Sequence, residues 1–409
     1  MHHLPHPRAA VLTLLVVPFA VALAPASGLA APTGPPAHGA GAPVLPRAGA
    51  AARIQPRSAA AAAAVAYLQV RAKSVLGAAQ ANALSTRCAT RSPLARREAI
   101  LAVGARRLAN DLGHTTTSVS CRVTIGKVRI SRATGAATVT AHVVSLDTWT
   151  DRQGRSDTEG EGLDHVLTLM RSGGRWLVAA DAYTSDLTPR LLEAAGAPAS
   201  AVRAAADRLE TRVRRLPAAT TPAAALAAAA PADRPPTAGT RLGYVAKLTF
   251  DRDAAKAYAD RYALSYNPTC TSFSADCADF GSQVMSAGGY PQFGSTYGSG
   301  WWYDRHGTSS PGDDTFSHAW IAVANQRGAW NLRYTDVVSS IADVGKGDFI
   351  YYDWTGDGTW DHVAELVGAN SAGQKIVDAH TTDHYHVYWK LGTAATRYLF
   401  ARTRATFIV

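Results

Sequence analysis

Asp276-Cys277-Ala278-Asp279-Phe280-Gly281-Ser282-Gln283 decides how the second half of this chain is read. Phe280, Gly281, Val284, Ala287 and Gly288 recur with the spacing of one helical face. Asp276 suits the N-cap, Asp279 the first turn, and Gly288-Gly289 the stop. Cys277 is therefore expected in the first turn, where free amide N–H groups and the positive end of the helix dipole favour a thiolate. That is the setting of a nucleophilic cysteine. The plainer alternative is a small buried core residue. Asp276 and Asp279 oppose a thiolate unless their charges are turned away.

A helix is expected over Asp251–Tyr262, ahead of the cysteine, and a Gly- and Tyr-rich loop with Trp301-Trp302-Tyr303 after it. Trp320-Ile321-Ala322-Val323 reads as helical, and Phe349–Tyr352, Val363–Val367, Lys375–Ala379 and Tyr385–Lys390 read as strands. A helix followed by a hairpin sheet is an α+β order. A cysteine nucleophile needs a base within reach and a group to orient that base. His306, His318, His362, His380, His384 and His386 are available. His362 opens one strand and His380 closes the next, so both are expected on one sheet edge: Cys277 as nucleophile, His362 as base, His380 as orienter. The rival is that both are solvated strand tips. Trp301, Trp302 and Tyr303 suit a stacking rim for sugar or peptide, or else core packing.

Asp353, Thr355, Asp357 and Asp361 follow the first half of a calcium loop, with Gly358 at its sixth position. Ala364 stands where the closing glutamate belongs, and the alternative is a Gly-rich hairpin turn. The thiol chemistry itself requires no cofactor, so a structural calcium ion is the sole ion considered.

The chain has 409 residues, 47% of them hydrophobic, which by length suggests two domains plus tails. Arg8, an apolar stretch from Ala9 to Ala24 broken by Pro18, and Gly28-Leu29-Ala30 read as a cleaved signal peptide over residues 1–30. An uncleaved anchor is the rival, although the stretch is short for a span. No later segment is apolar enough to cross a bilayer, so the mature chain is expected outside the cytoplasm. Residues 31–57 form an Ala/Pro/Gly-rich leader. Helices are expected over Ala59–Thr86 and Leu94–Leu112, then strands over Ser118–Ser131, Ala136–Val144, Leu163–Met170 and Arg175–Ala180. Helices followed by a curved antiparallel meander, over 58–198, resemble in element order the cone-shaped domains of the nuclear-transport-factor and SnoaL-like group. Residues 199–240 supply an amphipathic helix, Ala199–Arg215, and an Ala/Pro-rich linker; 241–409 form the second domain.

The net charge is +10. Residues 241–409 hold 14 Lys/Arg and 17 Asp/Glu, which leaves 27 against 14, or +13, ahead of them. A basic first half suits anionic wall polymers or membrane surfaces, or is simply an arginine-rich solvated surface. No basic-aromatic motif points to nucleic acid. Of Cys88, Cys121, Cys270 and Cys277, the first two are suited to a disulfide in an oxidising compartment. The last two either bond to each other or stay reduced.

Tyr266-Asn267-Pro268, Phe273, the Asp276–Gln283 stretch and Ala287-Gly288-Gly289 together resemble the putative amidase domain of secreted bacterial proteins. Trp301-Trp302-Tyr303, Trp320, Gly347-Asp348 and Asp353–His362 continue the pattern in order, over about residues 245–409. Asp279 and Gly281 stand where that family has Asn and Val, and Cys270 replaces a commonly aromatic residue. The resemblance implies a papain-like fold related to NlpC-like and CHAP cell-wall cysteine hydrolases. It also implies Cys277 and His362 as the catalytic pair, and His380 matches the family's later histidine. The expected function is a secreted cysteine amidohydrolase or peptidase acting on cell-wall peptides, by hydrolysis or by acyl transfer. The alternative is a catalytically silent wall- or polymer-binding protein.

Overall fold

The computed structural model describes residues 59–89, 92–131, 133–214 and 247–408. The expected signal peptide and leader, and the linker from residue 215 to 246, lie outside the described residues. Among the described residues no helix is long and apolar enough to cross a membrane.

The first helical run is two helices, α1 (Ala59–Lys73) and α2 (Ala78–Ser85), separated by a 3-10 turn and an extended Gly77. Next come α3 (Leu94–Asp111) and four long strands, β1 (His114–Ile130), β2 (Ala136–Asp151), β3 (Ser156–Ser172) and β4 (Arg175–Ala182). A short helix missed by sequence periodicity, α4 (Thr188–Ala194), starts with Pro189 in its first turn and precedes α5 (Ala199–Arg214). β5 (Lys247–Thr249) leads into α6 (Arg252–Tyr262), where the Asp251 side chain accepts the Asp253 and Ala254 N–H groups. The cysteine helix is α7 (Cys277–Ala287). Short hairpins β6 (Phe293–Thr296) with β7 (Ser299–Trp301), and β8 (Tyr303–Asp304) with β9 (Thr315–Phe316), precede α8 (His318–Ile321) and α9 (Val323–Arg333). The last part is β10 (Thr335–Val338), β11 (Asp348–Asp353), β12 (His362–Ala369), β13 (Lys375–Ala379), β14 (Asp383–Tyr388), β15 (Arg397–Thr403) and β16 (Thr406–Ile408).

The architecture is α+β around one large antiparallel sheet, ordered β1-β2-β3-β14-β13-β12-β11-β15-β10, with β4 also on β3. Two strand sets that the sequence separates by about 150 residues thus share a single ladder through β3 and β14, with Asp383 opposite Gly162 and Tyr385 opposite Gly160. Period-two alternation distributes the side chains of β11 and β12 between two faces. Phe349, Tyr351 and Val363 join α7 and the Trp301, Trp320 and Trp330 cluster on one face. Ile350, Tyr352, Ala364 and Leu366 join Trp354 and Leu209 of α5 on the other. A third apolar cluster fills the space between α1 and β1–β4. It contains Cys88 with Cys121 against it, and all four cysteines are free thiols, so the expected Cys88–Cys121 bridge is not formed.

The β3–β14 junction is tight because it is lined by glycine. A Cβ on Gly162 would meet the Asp383 Cβ at 2.9 Å and Oδ2 at 3.1 Å. Gly162→Val is expected to cost about 1–3 kcal/mol through overpacking at this seam, measured by urea denaturation. Gly298→Ala, with nothing within 4 Å, is the neutral control.

Candidate active site

Cys277 begins α7, as the sequence predicts, but the helix is capped by a different residue. Asp276 makes no side-chain cap. Its Oδ1 accepts the Phe273 N–H at 2.6 Å and its Oδ2 receives His380 Nδ1 at 2.7 Å. The cap is Thr381, in the turn between β13 and β14, whose Oγ1 accepts the Asp276 N–H at 2.8 Å and the Cys277 N–H at 3.1 Å. Thr381 holds φ +86°, a left-handed conformation that β-branched residues rarely adopt, so the turn is strained into the geometry that reaches α7.

The Cys277 sulfur meets the Val363 N–H and the Thr381 hydroxyl. It therefore lies at the mouth of β12, the strand that His362 opens. The His362 ring projects to the opposite face of the sheet, beside Tyr352 and over Trp354, with ring centroids 5.4 Å apart in each case. Its Nε2 has no hydrogen-bond partner and lies 3.9 Å from Asp186 Oδ2. Thr381 links the two groups: it touches Cys277, and it lines with His362, Asp186, Leu209, Arg212 and Trp354 a cavity of about 10 Å³. Among the described residues no hydrogen bond joins Cys277 directly to His362.

The structure separates His380 from the place expected for it. Rather than standing behind His362, it stacks on Phe280 at 4.0 Å and bonds Asp276 and the Tyr262 carbonyl, the latter at 2.9 Å. Burial opposes charge on His380, but the hydrogen bond to Asp276, the charges of Asp383 and Asp276 and the Tyr262 carbonyl together raise it above the ordinary histidine value. The group beside His362 is instead Asp186, from the segment between β4 and α4. Its Oδ1 lies 2.5 Å from His384 Nε2, and its N–H is donated to Thr382 Oγ1. Neither Asp186 nor His384 stands in a pattern with Cys277 in the sequence. Asp186 is 91 residues upstream, and only the β3–β14 pairing brings it here.

Burial dominates the electrostatics. It pushes the Cys277 thiol up to about 11, and the adjacent Asp276 adds to the effect. It pushes His362 down to about 4, against the pull of Asp186. The resting pair is thus a thiol and a neutral imidazole, where the helix-dipole argument predicts a thiolate. Asp279 departs from that argument too. It receives Trp320 Nε1 at 2.7 Å and Gln283 Nε2 at 2.6 Å, yet burial and then Asp276 hold its carboxyl well above the usual range. Burial thus disfavours the charge that the sequence places next to the sulfur.

The aromatic triplet divides. Trp301 is fully buried, donates Nε1–H to Ser282 Oγ at 2.9 Å and stacks on Trp320, so it builds the core and not a rim. Trp302 and Tyr303 are half-buried. Trp302 Nε1–H is donated to the Thr296 and Ser299 carbonyls, and the Tyr303 hydroxyl receives the Thr271 N–H. In the Asp353–Asp361 segment the carboxylates turn onto their own backbone. Asp353 accepts the Gly356, Asp357 and Gly358 N–H groups, and Asp361 accepts that of Trp354. These bonds brace the turn ahead of His362. The acidic groups of this loop do not converge as three, and neither do other described groups apart from Asp260, Asp378 and His386.

Two outcomes follow from the protonation states. Cys277 is expected to react with iodoacetamide at pH 7 at least about tenfold more slowly than a free cysteine, read by peptide mapping. A rate above that of free cysteine would contradict the raised thiol. Because burial raises the Asp279 carboxyl in the folded chain above its unfolded value, its ionisation costs stability as pH rises above the ordinary carboxyl value. Asp279→Asn is accordingly expected to match or exceed the wild type in melting temperature at pH 7, with the difference shrinking toward pH 4.

Residues 249–401 match the family model described as Putative amidase domain. The chain is also 31% identical over 157 residues to the uncharacterized protein YhbB of Bacillus subtilis (strain 168), a match that covers 37% of this chain. It spans 49% of that relative, so about half of the relative's length is compared. The cysteine helix, the braced turn and the strand opened by His362 all fall inside the matched segment. Residues 249–401 are therefore a putative amidase domain.

Proposed function

We propose that this chain is a cysteine-dependent amidohydrolase in which Cys277 attacks an amide carbonyl and His362 accepts the thiol proton. One observation carries it: the sulfur sits at a helix N-terminus and at the mouth of the strand that His362 opens, inside a segment that matches an amidase domain. The helix-then-antiparallel-sheet order supports a papain-like arrangement.

The S–H proton passes to neutral His362 as the sulfur–carbon bond forms. His362 then returns the proton to the amine as the C–N bond breaks. Water, deprotonated by the same imidazole, hydrolyses the thioester and releases the acid; an amine in place of water would make the reaction acyl transfer. Asp186, 3.9 Å from Nε2, is suited to orient the ring and to stabilise the imidazolium that forms. His380 has a different task in this scheme: paired with Asp276, it neutralises a carboxylate one residue from the sulfur. The Cys277 N–H, a natural oxyanion donor, is held by Thr381 Oγ1, so the substrate carbonyl must displace that hydroxyl.

Cys277 and His362 are each 2% exposed, and the cavity between α5 and His362 holds no more than a water molecule. Arg212 of α5 clamps this cover through the Thr184 carbonyl at 3.5 Å and the Ser274 carbonyl at 3.3 Å. Substrate entry in this scheme requires α5 to lift and both catalytic side chains to turn toward each other. Cell-wall peptides are the proposed substrate and the exterior the proposed location, supported by the apolar stretch Ala9–Ala24 and by the +13 charge before residue 241, which suits an anionic wall polymer. The closed resting thiol favours one second scheme, a silent binder of such polymer.

Purified wall fragments incubated with the protein separate the two by mass spectrometry of the products. Amide cleavage is expected from the wild type, with Cys277→Ala slower by at least about a thousandfold. Asp186→Asn is expected to lower kcat by about tenfold or more. Cleavage that persists in Cys277→Ala would dispose of the mechanism. With His362 neutral down to about 4, the acid limb of kcat/KM is expected well below the ordinary histidine value, and activity is lost as pH falls through it.

A further inference from the structure

We propose that Asp260, Asp378 and His386, beside the buried carboxylate of Glu365, bind one divalent transition-metal ion, Zn²⁺ or Mn²⁺. Four elements bring them together: α6 supplies Asp260, β12 Glu365, β13 Asp378 and β14 His386. Ligand atoms of Asp260, Asp378 and His386 all lie within 4.8 Å of one another. His386 Nε2 is 3.0 Å from Asp260 Oδ1, and Asp378 Oδ1 accepts the His386 backbone N–H at 2.7 Å.

What points to an ion is the set of atoms left over. Asp378 is 0% exposed and its Oδ2 has no hydrogen-bond partner. Glu365 is 1% exposed, and neither of its carboxylate oxygens has one. The two residues face each other directly across β12 and β13, on the sheet side against which α6 packs. Three buried, unpaired carboxylate oxygens beside an imidazole are expensive in isolation. A cation held by Asp260, Asp378 and His386 would coordinate Asp378 Oδ2 and offset the charge of Glu365 beside it.

Lys256 is the cation already present. One turn from Asp260 on α6, its ammonium pairs with Asp260 Oδ2. That leaves Asp378 and Glu365 unmatched, and the ammonium is a competitor that a metal ion must displace. Calcium favours six to eight oxygen donors, whereas one imidazole among carboxylates suits a borderline ion such as Zn²⁺ or Mn²⁺. Bound there, the ion would tie α6 to the three central strands. The site is independent of the amidase scheme and holds or fails separately from it.

The test titrates ZnCl₂ and MnCl₂ into the chelator-stripped full-length chain carrying Cys277→Ala, so that the thiol is not a ligand. Calorimetry is expected to show one ion per chain and a higher melting temperature, with CaCl₂ weaker by about tenfold or more. Asp378→Asn and Glu365→Gln, each checked for folding by circular dichroism, are expected to lose at least about tenfold in affinity. Lys256→Met is expected to tighten binding at least about tenfold by removing the competitor. Absence of binding in both the parent and Lys256→Met would overturn the proposal. So would affinity unchanged in both carboxylate variants.

Discussion

Thr381 is the residue on which the candidate site turns. A single hydroxyl accepts the first two N–H groups at the α7 terminus and meets the Cys277 sulfur, while the same residue lines the small cavity beside His362. The helix end, the β13–β14 turn and the mouth of β12 are held together by these contacts. The strained φ of Thr381 is the conformational cost of that arrangement. In return, Asp276 is released from capping and is free to pair with His380.

Burial then sets the protonation of everything around it. A thiol, a neutral imidazole and an Asp279 carboxyl raised above its ordinary range are what a water-poor junction favours, and Asp276 pairs with His380, Asp186 with His384. In the proposed scheme such a site stores its nucleophile in an unreactive form. Under that scheme it differs from an exposed thiolate at a helix tip, because reactivity would depend on a proton transfer at the moment of attack and on the lifting of α5.

Much of the second half was legible because local rules act there. The 3.6-residue spacing located α7, and alternating runs located β11 to β14. Gly-rich spacing located the turn before His362. Roles that depend on residues distant in sequence were not legible. Asp186 reaches His362 only because β3 pairs with β14, a ladder that nothing in either strand's own pattern announces. Thr381 was hidden because hydroxyl caps come from any loop that passes a helix end, and Asp276 had a better local claim to the position. His380 was placed on the correct strand end and given the wrong partner, since a one-residue step along a strand exchanges sheet faces. Trp301 was read from composition, which does not distinguish a rim from a core.

The most direct measurement is intact-protein mass spectrometry after mixing with 4-nitrophenyl acetate, a reactive acyl donor. The account requires one acetyl adduct mapped to Cys277, absent in Cys277→Ala and formed more slowly in His362→Gln. An adduct on another residue, or one that forms at the same rate without the His362 imidazole, would contradict it.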